Sequence, residues 1–140
     1  MRMKKKTQPP VPEQRFVLGF QILSQWLHLK QDGKTLIPFF EDNFIKNIAI
    51  YGMGVLGERF YQELQGSGIK ICYAIDRFAA SKNKPGFQIY SLDEAHWPEV
   101  DAIVVTPVQD YWGIVELLEK KTDAVILSLH DIVDYCMAGE

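Results

Sequence analysis

The string Gly52-Met53-Gly54-Val55-Leu56-Gly57 constrains the fold of this chain more than any other stretch of it. It follows a short, nearly uncharged run, NIAIY at 47–51, and opens a segment, 55–65, in which Leu56, Phe60 and Leu64 recur every four residues. A strand, a glycine turn and an amphipathic helix in that order form half of a crossover, and the helix must lay its apolar face on the sheet the strand belongs to. Each glycine has its own task. Gly52 permits the tight turn out of the strand, Gly54 lets the main chain approach an anion with no Cβ in between, and Gly57 lets the helix close on the sheet. The first-turn N–H groups, unsatisfied within the helix, point the same way as the positive end of its dipole. Gly52, Met53, Gly54, Val55, Leu56 and Gly57 are therefore candidate binding residues for a diphosphate.

The pattern continues in the same alternation. IKICYAID reads as a second strand ending in Asp76, nineteen residues after Gly57. At a strand tip a carboxylate accepts hydrogen bonds from a ribose diol and repels a 2′-phosphate, so Asp76 favours NAD over NADP, while the adjacent Arg77 leaves room for the opposite choice. Next come FQIY as a strand, SLDEA as a helical turn with Ser91 and Glu94 as a capping box, and DAIVVT as a strand. A helix is expected over 110–121, DAVILSL as a strand, and a closing helix over about 131–137. Strands separated by helices imply crossover connections and a parallel sheet, and right-handed crossovers put helices on both faces.

Two pieces precede this pattern. Over 16–31, Phe16, Phe20, Leu23 and Leu27 fall at helical spacing, widened by Ile22, Trp26 and Leu29. A shorter piece, 35–43, takes Thr35 as N-cap, packs Phe39 and Phe40 and ends at Asn43. The expected organisation is a flexible basic leader over 1–14, a helical extension over 15–45 and a nucleotide-binding unit over 46–140. Trp26, Trp97, Trp112 and the Phe39-Phe40 pair read as core and interhelix packing; the rival reading is an interface, with the first helix crossing to a second copy to make a homodimer.

Composition narrows the function classes. With 140 residues the chain is one domain, and no run approaches the ~18 apolar residues that would span a membrane. The net charge of −3 divides unevenly, because Arg2, Lys4, Lys5 and Lys6 hold four of fifteen basic residues and leave eleven against eighteen acids. The body carries −7, which argues against nucleic acid as a partner. The basic opening is followed by proline and glutamine, unlike a secretion signal. Cys72 and Cys136 lack metal-ligand spacing and read as reduced thiols, which points to a cytoplasmic protein with no metal site.

The ordered set IAIYGMGVLG, YAID, a polar loop with Gly86, FQIYSLDEA and DAIVVT resembles NAD(P)-binding Rossmann domains over 46–128. The expected fold class is three-layer Rossmann-like α/β, a five-stranded parallel sheet in the order 3-2-1-4-5 with an added N-terminal helical segment. Within that superfamily the set looks most like the small domains attached to nucleotide-sugar dehydratases, epimerases and sugar acetyltransferases. That resemblance implies a nucleotide ligand, NAD first and NADP or a nucleotide sugar as alternatives, and an accessory role in cell-surface sugar metabolism. DAIVVTPVQDYWGIVELLEKK is also similar to the glucose–fructose oxidoreductase and inositol dehydrogenase family, which implies that Thr106 and Pro107 lie against the ribose and diphosphate. The chain departs from that family where Glu-Lys-Pro is replaced by Ser128-Leu129-His130-Asp131, and the family's substrate domain has no counterpart.

A complete catalytic set is not found, so the catalytic residues are unknown. None of the six tyrosines has lysine four residues on, and no serine lies in a G-x-S-x-G elbow. Of His28, His96 and His130, only the last follows a parallel strand directly. Three readings result: a non-catalytic nucleotide-binding module; an oxidoreductase completed by a dimer mate or partner chain, with Thr106 and His130 nearest the chemistry; and a structural domain with a degenerate glycine turn.

Overall fold

The computed structural model describes residues 12–79 and 86–139, with side chains from residue 16 onward. The elements are α1 (Pro12–Gln31), α2 (Ile37–Asp42), β1 (Asn47–Tyr51), α3 (Val55–Leu64), β2 (Lys70–Ile75), β3 (Gln88–Tyr90), β4 (Ala102–Val105), α4 (Tyr111–Glu119), β5 (Val125–Ser128) and α5 (Leu129–Ala138). A 3-10 turn, Val108–Asp110, leads into α4. The five strands form one parallel sheet in the order β3-β2-β1-β4-β5 with helices on both faces, the three-layer α/β class expected. Among the described residues no helix is long and apolar enough to cross a membrane. The basic leader lies outside the described residues up to residue 11, and α1 already begins at Pro12, three residues before the expected start of the extension.

Alternation along the central strands divides the core. Ile48 and Ile50 of β1 and Ala102 and Val104 of β4 face a large cluster with Phe40 of α2, Phe60 and Leu64 of α3, and Leu129, Ile132 and Val133 of α5. Ala49, Tyr51, Ile103 and Val105 face the other way, onto Ile114 and Leu118 of α4. β1 and β4 are buried on both faces, as their unbroken apolar runs require. A register shift between Ile48 and Ala49 against β2 puts Cys72 and Tyr73 on the α4 side together.

Several local readings are corrected. The expected helical turn at SLDEA is a single turn, Glu94 N–H to Ser91 O at 3.4 Å, without the expected capping box: Ser91 Oγ accepts the Asp93 N–H at 3.2 Å and the segment runs without helix to β4. Pro98 bars helical backbone at Trp97, and the few residues before it are too few to nucleate a stable helix. Thr35 is not the cap of α2; Leu36 occupies that position, and the Thr35 hydroxyl accepts the Ile37 N–H at 3.2 Å. In α1 the buried residues are Ile22, Trp26 and Leu29, whereas Phe16, Phe20 and Leu27 are exposed. The apolar residues of the helix spread over an arc wider than one stripe, with Gln21, Ser24, Gln25 and His28 on the remaining face, so spacing alone did not identify which part of that arc would be covered. Trp112, expected in the core, is also exposed.

A single carboxylate docks the N-terminal extension. Glu63 of α3, its side chain 4% exposed, accepts the Leu36 N–H at 2.8 Å and the Trp26 indole N–H at 3.3 Å, and pairs with Lys30 at 3.1 Å. The exposed ammonium of Lys30 adds little, while the two neutral donors would be buried without a partner if the carboxylate were removed. Glu63→Ala is expected to lower unfolding free energy by about 2 kcal/mol and Lys30→Ala by less than about 1 kcal/mol, both measured by urea denaturation.

Tyr73 supplies a pH signature. Its hydroxyl donates to the Pro98 carbonyl at 2.8 Å, and burial, with smaller effects from Cys72 and Tyr90, pushes it from 10.0 up to about 12. The folded state keeps a proton that the unfolded chain releases near pH 10, so this contribution to stability is complete below pH 10 and disappears between pH 10 and about 12. Urea midpoints measured across that window should fall with pH, and less steeply in Tyr73→Phe.

Candidate functional site

From β1 the chain winds one way to β2 and β3, then reverses to β4 and β5. The carboxyl ends of β1 and β4 are therefore the point where successive crossovers diverge and leave a crevice. The glycine turn sits there. Gly52 has φ +94°, and a Cβ on it would lie 2.8 Å from both the Thr106 hydroxyl and Pro107 Cδ. A Cβ on Gly57 would lie 2.0 Å from the Gly52 carbonyl oxygen, so α3 packs on the turn at a distance only glycine permits. Gly54 differs from both. It caps α3 with φ −84°, and a Cβ there would meet nothing within 4 Å.

The turn is held by its neighbours' polar groups. Gly52 N–H donates to Ile75 O at 2.8 Å, and the buried Thr106 hydroxyl lies 2.7 Å from Gly52 O and 3.1 Å from Tyr51 O. Asp76, 6% exposed, accepts the Met53 N–H on Oδ2 and the Phe78 N–H on Oδ1, each at 2.8 Å. Both carboxylate oxygens keep further acceptor capacity, since an ionised carboxylate has about four lone-pair sites. The Met53 side chain is buried in the larger core cluster, so the turn's second residue faces inward on both counts.

In front of the turn lies a cleft of about 530 Å³. Asp76, Arg77 and Phe78 form one wall, Asp110 with Gly113, Ile114 and Leu117 of α4 the other, and Tyr51, Gly52, Gly54 and Pro107 the floor and end. The volume lies within the roughly 300–1,000 Å³ of small-molecule sites. The Arg77 guanidinium stands 6.0 Å from the centre of the Phe78 ring, and Phe78 is largely exposed. Burial raises the Tyr51 hydroxyl above its ordinary 10.0; Arg77 opposes the rise, and Asp76 and Asp110 add to it.

Of the residues singled out in the sequence, Gly52, Gly54, Asp76, Arg77 and Pro107 line this cleft. Val55, Leu56 and Thr106 border a second groove on the far side of Gly54. Gly57 and Met53 shape the turn from within. His130 lies in the first turn of α5, 3.3 Å from Asp134, and borders neither cavity. Sequence reasoning missed the α4 wall, although Gly113 carried a signal: glycine inside a helix is about 1 kcal/mol less favourable than alanine, and a Cβ at Gly113 would meet nothing within 4 Å.

No family model matches the chain, and a search of the curated proteins finds no relative.

The three glycines of the turn separate by experiment. Gly57→Ala drives a methyl into the Gly52 carbonyl, which cannot move without unmaking the turn, and should cost about 3 kcal/mol or more. Gly54→Ala, at a helix cap where alanine is less favourable than glycine, should cost no more than about 1 kcal/mol of urea stability.

Proposed function

We propose that this chain is a nucleotide-binding module that takes the diphosphate of NAD, or of a related nucleotide, against the start of α3. The observation that carries the reading is Gly54. Its φ of −84° is not one that demands glycine and its missing side chain makes room for nothing within 4 Å in the protein itself, yet it stands at the mouth of a cleft beside the first turn of α3. No side chain caps that turn. Free N–H groups, a helix dipole and an unobstructed approach together form a site for phosphate oxygens.

The remaining contacts follow from the walls. A base enters between Phe78 and the Ile114–Leu117 side of α4, and its ribose diol meets the spare acceptor positions of Asp76. The Asp76 carboxylate repels a 2′-phosphate, which favours NAD over NADP, with Arg77 too exposed at the rim to hold that phosphate firmly. An accessory role, as in the nucleotide-sugar domains the sequence resembles, is the reading that goes with this ligand; Asp76, Asp110 and Tyr51 are the titratable groups that border the cleft beside Arg77.

Thermal unfolding with NAD, NADP, UDP-glucose or coenzyme A at about 100 times Kd should raise Tm by several degrees for at least one ligand, corresponding to about 2.7 kcal/mol. Gly54→Val should abolish that shift while keeping the unliganded Tm. Absence of a shift with all four would leave the glycine turn as a structural element only.

A further inference from the structure

From Phe16 to Leu29, α1 contains the longest stretch of the chain without Asp, Glu, Lys or Arg. The protein itself uses one side of that stretch. Ile22, Trp26 and Leu29 are buried in the core, and Leu23 packs on its margin. Phe16, Phe20 and Leu27 are 79%, 74% and 58% exposed. With Leu23 these three fall in one narrow stripe, spaced four, three and four residues apart, which is the a/d spacing of a helix that packs along a second helix. Exposed Val17 widens the stripe on one side, and exposed Val55 of α3 stands across the groove that Phe16 borders on the other. Phe16 and Phe20 bring roughly 300 Å² of apolar surface, and with Val17, Leu27 and Val55 the patch reaches about 600 Å². That is the upper end of what a monomer leaves open, and most of the roughly 800 Å² that each partner gives to an interface of standard size.

We propose that this stripe packs on the same stripe of a second copy of the chain, antiparallel about a two-fold axis, with Phe16 against Leu27 and Phe20 against Leu23. Charge selects the place. The body carries −7, so two copies repel one another through most of their faces, and the uncharged stretch 16–29 is where that repulsion is weakest. Shape selects the direction. Antiparallel pairing sets each phenylalanine on a leucine and opposes the two helix dipoles. Parallel pairing would stack ring on ring and start both helices, each preceded in sequence by Arg2, Lys4, Lys5 and Lys6, from the same end. Gly19, beside the stripe, leaves the backbone bare where a Cβ would meet nothing within 4 Å, so a partner helix can come close. The stripe stops at Lys30, the next position in the spacing, whose ammonium is held by Glu63 at 3.1 Å. A lipid surface fits less well, because a helix that lies on an anionic membrane carries Lys or Arg along its polar flank, and here that flank is Gln21, Ser24, Gln25 and His28.

Gel filtration of the full chain with light-scattering detection tests this. The mass should rise with concentration to twice the 16.1 kDa of one chain. Phe20→Ser removes an exposed ring twice per dimer and should weaken association at least about tenfold. Leu27→Ser should act in the same direction, and both variants should keep the far-UV circular dichroism of the unsubstituted chain. Trp112→Ser, at an exposed aromatic residue outside the stripe, should leave the dimer intact. Under a mild oxidant, a Phe16→Cys chain mixed with a Leu27→Cys chain should give a disulfide that peptide mapping places between positions 16 and 27, and a Phe16→Cys chain alone should give none at position 16. A chain that stays monomeric at every concentration, a dimer that neither Phe20→Ser nor Leu27→Ser weakens, or a disulfide from position 16 to position 16 overturns the proposal. Binding of a monomeric chain to phosphatidylserine vesicles, lost in Phe20→Ser, would name lipid as the occupant and overturn it as well.

Discussion

The close contact between position 57 and the Gly52 carbonyl oxygen governs how everything above the sheet is placed. With hydrogen in place of a side chain, the first turn of α3 lies directly on the end of β1, and the Thr106 hydroxyl fills the remaining gap by bonding the same carbonyl. That contact fixes the direction in which α3 leaves the strand and hence the opening between its first turn and the segment after β4. Asp76 then braces the turn from the β2 side through Met53 and Phe78. Three neighbouring strand ends are thus joined through main-chain groups around one bend. The rigidity of this corner is what allows Gly54 to be left bare.

Much of this was legible in the sequence because it depends on periodicity and on glycine. The alternation of NIAIY, the glycine turn, the Leu56-Phe60-Leu64 helix and YAID defines the first crossover, and the sheet order follows from continuing the pattern. Two kinds of feature escaped. The first is the choice within a broad apolar arc: Phe16, Phe20 and Leu27 are as well spaced as Ile22, Trp26 and Leu29, and only docking against α5 and the carboxylate of Glu63 decides between them. The second is assignment of polar groups to partners distant in sequence. Asp76 and Thr106 read as ligand contacts, and nothing in the sequence tells that the Asp76 oxygens also hold two N–H groups of the protein or that the Thr106 hydroxyl is also bonded to the turn.

The layers are unequal. Four helices, α1, α2, α3 and α5, supply the core on one face, while α4 and the coil from 91 to 101 cover the other. Trp97 of that coil stacks under the Lys121 ammonium at 4.8 Å, and Lys121 also donates to the Leu92 carbonyl, so the segment is closed over the sheet without being helical. The cleft opens on this thinner side, between the end of β2 and α4. The groove opens on the thicker side, beneath α1. Gly54, lying between them, is the place where the two faces of the sheet communicate at the surface.

The packing of α1 on α5 has a bearing on how the chain is made. The first helix finds its main partner in the last, with the whole sheet lying between them in sequence. During synthesis α1 therefore emerges before its main partner, and its apolar arc is only partly covered, by α2, α3 and the 3-10 turn after β4, until α5 has been made. Pairing of β1, β2 and β4 can proceed meanwhile through nearer connections. The ends of the described chain consequently meet late and side by side, which places closure of the N-terminal extension among the final events of folding and makes it the slowest contact to search for.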